Sequence, residues 1–384
     1  MSEVSFTDRP EARATAETER IGVGMLGYAF MGKAHSNAYR TLAYMTWPPP
    51  LLPDLVSIAG RTEDAVAEAA TRYGFADHVT DWRAIVADDR IGLFDNVGPN
   101  DLHVAPTIAA AEAGKHVICE KPLGRDAAES YETWQRVHAA GVKHMCAFNY
   151  RFVPAVRLAR EMIEAGELGE ILHFRGAYLQ EWGATDAAVW RFDRAVAGSG
   201  ALGDLGTHVI DLARYLVGEF KTVSGFVKTF LPGRRVDDAL EAAVEFENGA
   251  AGTIEATRLA LGRRNAFQWE INGSDGSLAF DMERMNELEV FLGGEDRTRG
   301  FRRVLVTETT HPFMELWWPP GHIVGWGDTF VHEAVHLLRA IADDSDVAPH
   351  GATFEDGYRA SEIAEAIVRS GETGTRVELA FRAA

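Results

Sequence analysis

Residues 21–32 read Ile-Gly-Val-Gly-Met-Leu-Gly-Tyr-Ala-Phe-Met-Gly. Two glycine patterns overlap here, and choosing between them decides the fold. Gly22-Val-Gly24-Met-Leu-Gly27 matches G-x-G-x-x-G letter by letter. Its first two glycines, however, fall inside an apolar run that reads as a buried strand, and a phosphate-binding turn must follow its strand. The second pattern, Gly27-Tyr-Ala29-Phe30-Met31-Gly32, closes that run and opens "FMGKAHSNAYRTLAY", which has helical spacing. There Gly27 makes the tight turn, Gly32 lets helix and strand pack closely, and the backbone at Ala29 approaches a pyrophosphate. Alanine at 29 costs one methyl group of clearance. The stretch therefore predicts strand, turn and helix, with Gly27, Ala29, Phe30, Met31 and Gly32 around a dinucleotide.

The chain downstream repeats that unit. "LVSIA", "IGLFDNV", "KHVICE" and "VKHMCAF" read as strands, and "TEDAVAEAATRYG", "WRAIVAD", "DLHVAPTIAAAEAG" and "RDAAESYETWQRVHAAG" as helices. Strands alternating with helices every thirty or so residues predict a doubly wound parallel sheet. "WPPPLLP" (47–53) interrupts the rhythm as a loop. After about residue 150 the grammar changes. "PAVRLAREMIEAG" is a helix, "GSGALGDLGTHVIDLARYLVG" holds another, and strand-like runs follow: "ILHFRGAYLQ", "TVSGFVKTF", "ALEAAVEFENGAAGTIEATRLA", "FQWEINGSDGSLAFD" and "ELEVFLG". Asn-Gly and Asp-Gly turns between alternating runs predict hairpins. The expected organisation is a tail over 1–20, a dinucleotide-binding domain over 21–150, and an α+β domain over 151–384. The latter carries a large, mostly antiparallel open sheet with helices on one face. A last helix is expected to end at Gly371.

Composition narrows the function. A net charge of −19 over 384 residues, spread along the chain, excludes nucleic acid and anionic membrane as ready partners. The first twenty residues lack the apolar centre of a signal peptide, and no run is long enough to span a bilayer. Two cysteines, Cys119 and Cys146, both in apolar runs, cannot build a disulfide framework and suit a reducing cytoplasm.

Three further segments carry chemistry. The second strand ends Ala59-Gly60-Arg61-Thr62, where an NAD enzyme usually places an acid for the ribose. An arginine and a hydroxyl there could hold a 2′-phosphate, which leans the cofactor, NAD(P), towards NADP without excluding NAD. "CEKP" puts Lys121 at the carboxyl end of a strand, where ligands of such sheets bind, and Pro122 keeps it out of helix. "GDLGTHVIDL" spaces Asp204 and His208 four apart, on one helical face, where the carboxylate would orient the imidazole and raise its basicity.

Together, "GYAFMGKAH" (27–35), "GPNDLH" (98–103), "EKP" (120–122), "FNYRF" (148–152) and "GDLGTHVIDLARYL" (203–216) resemble the Gfo/Idh/MocA family of sugar and polyol oxidoreductases. The resemblance runs from about Ile21 to the end with motif order kept, and is strongest to the family's sugar, anhydrosugar and inositol dehydrogenases. It implies a Rossmann domain followed by a domain whose open sheet joins homodimers or homotetramers. It also implies hydride transfer between nicotinamide and a secondary hydroxyl of a sugar, anhydrosugar or cyclic polyol. Lys121, Asp204 and His208 would be catalytic, with His208 or Lys121 taking the hydroxyl proton and Asp204 balancing charge. Pro99, Asn100, His103, Glu120 and Lys121 would lie along the cofactor, joined by Arg61. Asn149 and Arg151 would lie near substrate. No metal is implied. Gly98 stands where the family usually has threonine. Glycosidic cleavage by transient oxidation and elimination, which also begins with hydride transfer, is the alternative chemistry. Trp190 and Arg191, with Trp182, precede the catalytic helix, and such residues can pack on sugar faces and bond hydroxyls.

One motif points elsewhere. His332-Glu333-Ala-Val-His336 has the H-E-x-x-H spacing of a zinc hydrolase. The extension of that motif would need glycine at 339 and histidine at 342, where the chain has Arg339 and Ala342. A helical wheel puts Val331, Ala334, Val335, Leu338 and Ile341 on a buried stripe and His332, His336 and Arg339 on the opposite side. The expectation is an amphipathic helix carrying the motif by coincidence.

Overall fold

The computed structural model describes residues 18–184, 189–293 and 296–383. Residues 1–17 of the expected tail lie outside them, and Arg20 already belongs to the first strand. Eleven elements then alternate: β1 (Arg20–Leu26), α1 (Phe30–Met45), β2 (Leu52–Ala59), α2 (Glu63–Tyr73), β3 (Asp77–Val79), α3 (Trp82–Val86), β4 (Leu93–Asn96), α4 (Val104–Glu112), β5 (His116–Glu120), α5 (Ala127–Ala140) and β6 (His144–Ala147). The strands pair in parallel in the order β3-β2-β1-β4-β5-β6. Gly22 and Gly24 lie inside β1, so the second glycine pattern is the one that forms the turn. The three-residue β3 is too short to show any periodicity and escapes a reading by pattern. The order reverses between β1 and β4, which opens a crevice at their carboxyl ends.

The chain continues through α6 (Pro154–Glu164), β7 (Ile171–Leu179), α7 (Arg194–Ala197), α8 (Thr207–Leu216), β8 (Phe220–Lys228), β9 (Ala239–Phe246), β10 (Ala251–Thr257), β11 (Ala266–Gly273), β12 (Ser277–Asp281), β13 (Glu287–Phe291), β14 (Arg302–Leu305), α9 (Asp328–Ala342), α10 (Phe354–Thr373) and β15 (Val377–Glu378). The second sheet has nine strands in the order β14-β13-β12-β11-β7-β10-β9-β8-β15. All its neighbours are antiparallel except β7 and β10. Both predicted hairpins form, β9–β10 and β11–β12. Alternation along β7 turns Phe174 and Tyr178 towards α8 and leaves Arg175 on the open face.

Two helices tie the halves together. α9 packs on α1 and β6, and α10 lies on both α5 and β8. α10 also runs two residues past the expected stop at Gly371, to Thr373. Gly371 is there for contact rather than for capping, since a side chain on it would meet the Phe226 backbone at 2.9 Å.

Candidate active site

The turn after β1 is shaped for a phosphate. Gly27 has φ +108, open to glycine, and a Cβ there would sit 2.7 Å from the Val97 carbonyl oxygen. A Cβ on Gly32 would lie 2.5 Å from the Gly27 oxygen, so helix and turn touch through backbone alone. α1 begins at Phe30 with no capping side chain and no acid in its first turn. Its first N–H groups are left to an anion, which fits the pyrophosphate of a dinucleotide. Ala29 and Phe30 are exposed and Met31 half-buried, with Phe30 stacked on Trp326 at 5.2 Å. Arg61 is exposed at the end of β2.

The next two loops are held from behind. Asn96 closes the loop after β4 by donating to the Leu102 carbonyl (2.8 Å) and Thr107 Oγ1 (2.9 Å). Pro99 is half-buried at its tip. His103, expected along the cofactor, has both ring nitrogens engaged by loop carbonyls. It is buried, with Nδ1 2.7 Å from the Pro122 oxygen and Nε2 3.0 Å from the Gly98 oxygen, and so staples this loop to the one after β5. Asn100 is likewise turned inward and donates to the Ala197 carbonyl at 2.9 Å. Spacing could place these residues beside the crevice but could not say which way they point. Glu120 ends β5, and one of its oxygens accepts the Lys121 N–H at 3.1 Å.

Lys121 meets the second domain directly. Its Nζ lies 2.8 Å from the Asp204 carbonyl oxygen and 3.3 Å from Asp204 Oδ1. Asp204 sits in a π-helical turn over Leu202–Gly206 that leads into α8. Such turns interrupt helices at functional sites. Arg258 Nη2 is 2.9 Å from the other carboxylate oxygen, and Arg191 Nε is 4.0 Å from Oδ1. Burial alone would raise the Asp204 pKa, but Lys121, Arg258 and Arg191 together hold it far below the usual carboxylate range.

His208 is differently placed from the expectation. No hydrogen bond joins it to Asp204 among the described residues, because that carboxylate is committed to three cations. The imidazole instead lies against Tyr150 (4.5 Å between ring centres) and Phe148 (5.8 Å), and its Nδ1 is buried without a partner. Burial first, then the Lys121 charge, lowers its pKa well below the ordinary value, with Asp204 opposing only in part. The ring is therefore neutral, not made more basic.

Beside it runs a polar chain that pattern reading missed. The Tyr150 and Tyr178 hydroxyls are 2.7 Å apart, Tyr178 donates to Asn265 Oδ1 (2.7 Å), and Gln180 Nε2 reaches the same oxygen (2.6 Å). Trp182 Nε1 donates to Gln180 Oε1 at 2.6 Å. Arg258 was also missed, although β10 held a signal: it continues the inward register of Ile254 and Ala256, which puts a charge on a buried face. Trp190 is half-buried with the Arg191 guanidinium 4.5 Å above its ring.

Two expected substrate contacts are otherwise engaged. Asn149 is buried and donates to Thr329 Oγ1 at 2.9 Å. Arg151 is 2 % exposed and forks onto Asp211 at 2.9 and 2.6 Å, with Asp356 at 3.3 Å. It serves as an internal strut between these carboxylates.

Comparison with known proteins bears on the whole arrangement. Residues 21–148 match the profile "Oxidoreductase family, NAD-binding Rossmann fold", and residues 156–279 match the "GFO/IDH/MocA C-terminal domain". Levoglucosan dehydrogenase of Pseudarthrobacter phenanthrenivorans is 45% identical over 379 residues, covering 92% of this chain and 96% of that one. The chain belongs to the Gfo/Idh/MocA family.

A solved levoglucosan dehydrogenase in complex with NADH and levoglucosan superposes with a TM-score of 0.91 at 45% identity, covering 94% of this chain and all (100%) of that one. An oxidoreductase domain protein from Kribbella flavida, 42% identical, gives 0.90 over 95% and 100% of the two chains. Among more distant members is the NADP(+)-dependent D-xylose 1-dehydrogenase 2 of Haloferax volcanii, 27% identical over 85% of this chain and 92% of its own. The chain is thus an NAD-binding oxidoreductase.

In this Gfo/Idh/MocA chain the H-E-x-x-H segment diverges instead of converging. His332 is not on an open face. It is 1 % exposed, Nδ1 lies 2.8 Å from the Phe152 oxygen, and Nε2 accepts from Trp317 Nε1 at 2.6 Å. The loop carrying Phe313 and Trp317 covers the helix face that the wheel left to solvent. His336 bonds the Val347 oxygen at 2.8 Å, well apart from those partners. A metal would have to break these bonds, and among the described residues no three His, Cys, Asp or Glu side chains form a ligand set.

Burial pushes His332 and His336 each down to about 4, against the carbonyls they bond. The unfolded chain takes up these protons near pH 6.5 and the folded one only near 4, so stability falls as pH drops through that window. Melting temperature should fall between pH 7 and 5. His332→Gln, whose amide both donates and accepts, should show a shallower fall; equal slopes would refute the assignment.

Proposed function

We propose that this protein transfers a hydride between a nicotinamide cofactor and a secondary hydroxyl of an anhydrosugar, or of a closely related sugar or cyclic polyol, in the cytoplasm. The observation that carries this reading is the pairing of Lys121, at a strand end of the first domain, with Asp204, at a helix start of the second, close enough for both charges to act on His208 one turn on. The bound nicotinamide would supply a hydride acceptor. Lys121, steadied by Asp204, faces the substrate oxygen with positive charge and stabilises the alkoxide as it develops. His208, held neutral, takes the hydroxyl proton. Asp204 stays ionised beside its cations and does not compete for that proton. The chain Tyr150, Tyr178, Asn265 and Gln180 offers donors and acceptors suited to several hydroxyls, and Trp190 and Arg191 a flat face and a charge. Similarity to levoglucosan dehydrogenase favours an anhydrosugar.

The cofactor divides on two observations. NADH in the relative's complex favours NAD, and exposed Arg61 favours a 2′-phosphate. Purified protein should bind one of NAD+ and NADP+ and yield reduced-nicotinamide absorbance with levoglucosan or another member of a sugar and inositol panel. If Arg61 holds a 2′-phosphate, Arg61→Ala should lose about tenfold or more in NADP+ affinity and nothing for NAD+. Absence of binding to either cofactor overturns the reading.

We also read the open face of the nine-stranded sheet as the contact between copies in a homodimer or homotetramer. That face is a concavity of about 990 Å³, lined by none of the residues just named, and it exposes Phe226 beside Glu241 at one end and holds Arg175 next to Glu270 farther across the sheet.

A further inference from the structure

The glutamate of the H-E-x-x-H segment has no part in the reading above. Yet Glu333 is 1 % exposed, and its Oε1 is buried without a hydrogen-bond partner among the described residues. α9 brings it to the strand ends of the first sheet, into the company of His35, Glu120, Asp95 and Asp211. Tyr39 and Cys146 share the same surroundings. His35, from α1, stands between two of these carboxylates. Its Nδ1 is 3.0 Å from Asp95 Oδ2 and its Nε2 3.2 Å from Glu120 Oε1. Both ring nitrogens face carboxylate oxygens, an arrangement that an imidazolium, donating from each, satisfies. Tyr39 adds a hydroxyl donor to Asp95 at 3.0 Å. The other Glu120 oxygen receives the Lys121 N–H. A continuous path of contacts thus leads from the interior of β4 to the residue beside the reactive lysine.

One imidazolium offsets one of the two carboxylate charges it faces, and the Tyr39 hydroxyl donates without adding charge, so a third carboxylate in this dry interior would stand uncompensated. Burial first, then the neighbouring carboxylates against the one His35 charge, raises the Glu333 pKa well above the ordinary value. Burial would lower His35, but Asp95 and Glu120 overcome it and keep the ring charged well above pH 6.5.

We propose that Asp95 and His35 form a buried relay that fixes the Glu120 carboxylate at the cofactor end of β5. His35 is a positioning residue acting through Glu120. The proposal deepens the functional reading and rests on it for the contact between Glu120 and the nicotinamide ribose.

Two measurements on the full chain separate the two. With 15N-labelled histidine, NMR should show one imidazole doubly protonated at pH 8, and that signal should vanish in His35→Gln. Fluorescence titration should give His35→Gln an affinity for the preferred cofactor about tenfold weaker, the loss of roughly one hydrogen bond to a charge. Its kcat at saturating cofactor should change much less. Asp95→Asn added to His35→Gln, which removes the uncompensated charge, should restore most of the affinity. Asp95→Asn alone, which loosens the hold on His35, should weaken binding by a smaller factor. Asp95→Asn carries the test if His35→Gln does not fold. A His35 ring that loses its second proton below pH 7.5, or a folded His35→Gln that binds cofactor like the parent, overturns the relay. A parent protein that binds neither cofactor while His35 stays doubly protonated overturns the functional reading and leaves the relay standing.

Discussion

Lys121→Met should lower kcat by about a thousandfold with the protein folded and stable. The expectation rests on what the ammonium touches. Nζ is 13 % exposed at the side chain, and its two contacts are the carbonyl and carboxylate of Asp204. Methionine keeps the length and most of the volume but removes the charge that faces the developing alkoxide. A single preorganised electrostatic group at such a point is worth about 10²–10³ in rate, and a proton-transfer partner about 10²–10⁴. Asp204 keeps Arg258 at 2.9 Å, so its carboxylate should stay in place. Single-turnover measurement with saturating cofactor and sugar is the readout. A fall in kcat with cofactor affinity retained fits a group acting on the reacting oxygen. A variant whose turnover stays within a few-fold of the parent would remove Lys121 from the chemistry and return the proton and the charge to His208 alone.

Arg151→Met should cost about 3–5 kcal/mol of stability while leaving the sugar KM unchanged in the protein that remains folded. Arg151 bridges Asp211 and Asp356, and Arg214 Nη1 is 2.9 Å from Asp356. Burial raises Asp211 against the pull of Arg151, whereas Asp356, half-buried, is carried well below the usual range by Arg151 and Arg214. Removing the shared guanidinium leaves Asp211 buried beside a like charge. With an unfolding entropy of about 0.8 kcal/mol/K for a chain this long, melting should fall by roughly 5 °C. Asp211→Leu added to the variant should recover part of the loss, since the orphaned charge goes with it. Resemblance alone would put Arg151 at the substrate, which predicts the reverse: a raised KM and an unchanged melting point. Thermal melts and initial rates on one preparation decide between them.

Much of the architecture is written in local pattern. An apolar run, the glycines at 27 and 32 and a following helical period determine a strand–turn–helix by short-range sterics, and the repetition of that unit determines a parallel sheet. Alternation and Asn-Gly or Asp-Gly turns determined the hairpins β9–β10 and β11–β12 in the same way. Lys121 and Asp204 could be nominated because strand ends and helix starts are where such sheets expose chemistry. What only the tertiary structure decided is direction and company. Two histidines at zinc spacing part because packing on both sides of α9 gives each its own carbonyl. Arg151 belongs to Asp211, 60 residues away, and Arg258 to Asp204, partners that no spacing announces. His208 lies four residues from Asp204 yet is not bonded to it, because long-range cations claim the carboxylate and neighbouring aromatics enclose the ring. Backbone choices follow from the nearest residues, whereas the protonation and reach of a buried side chain follow from whatever the fold brings against it.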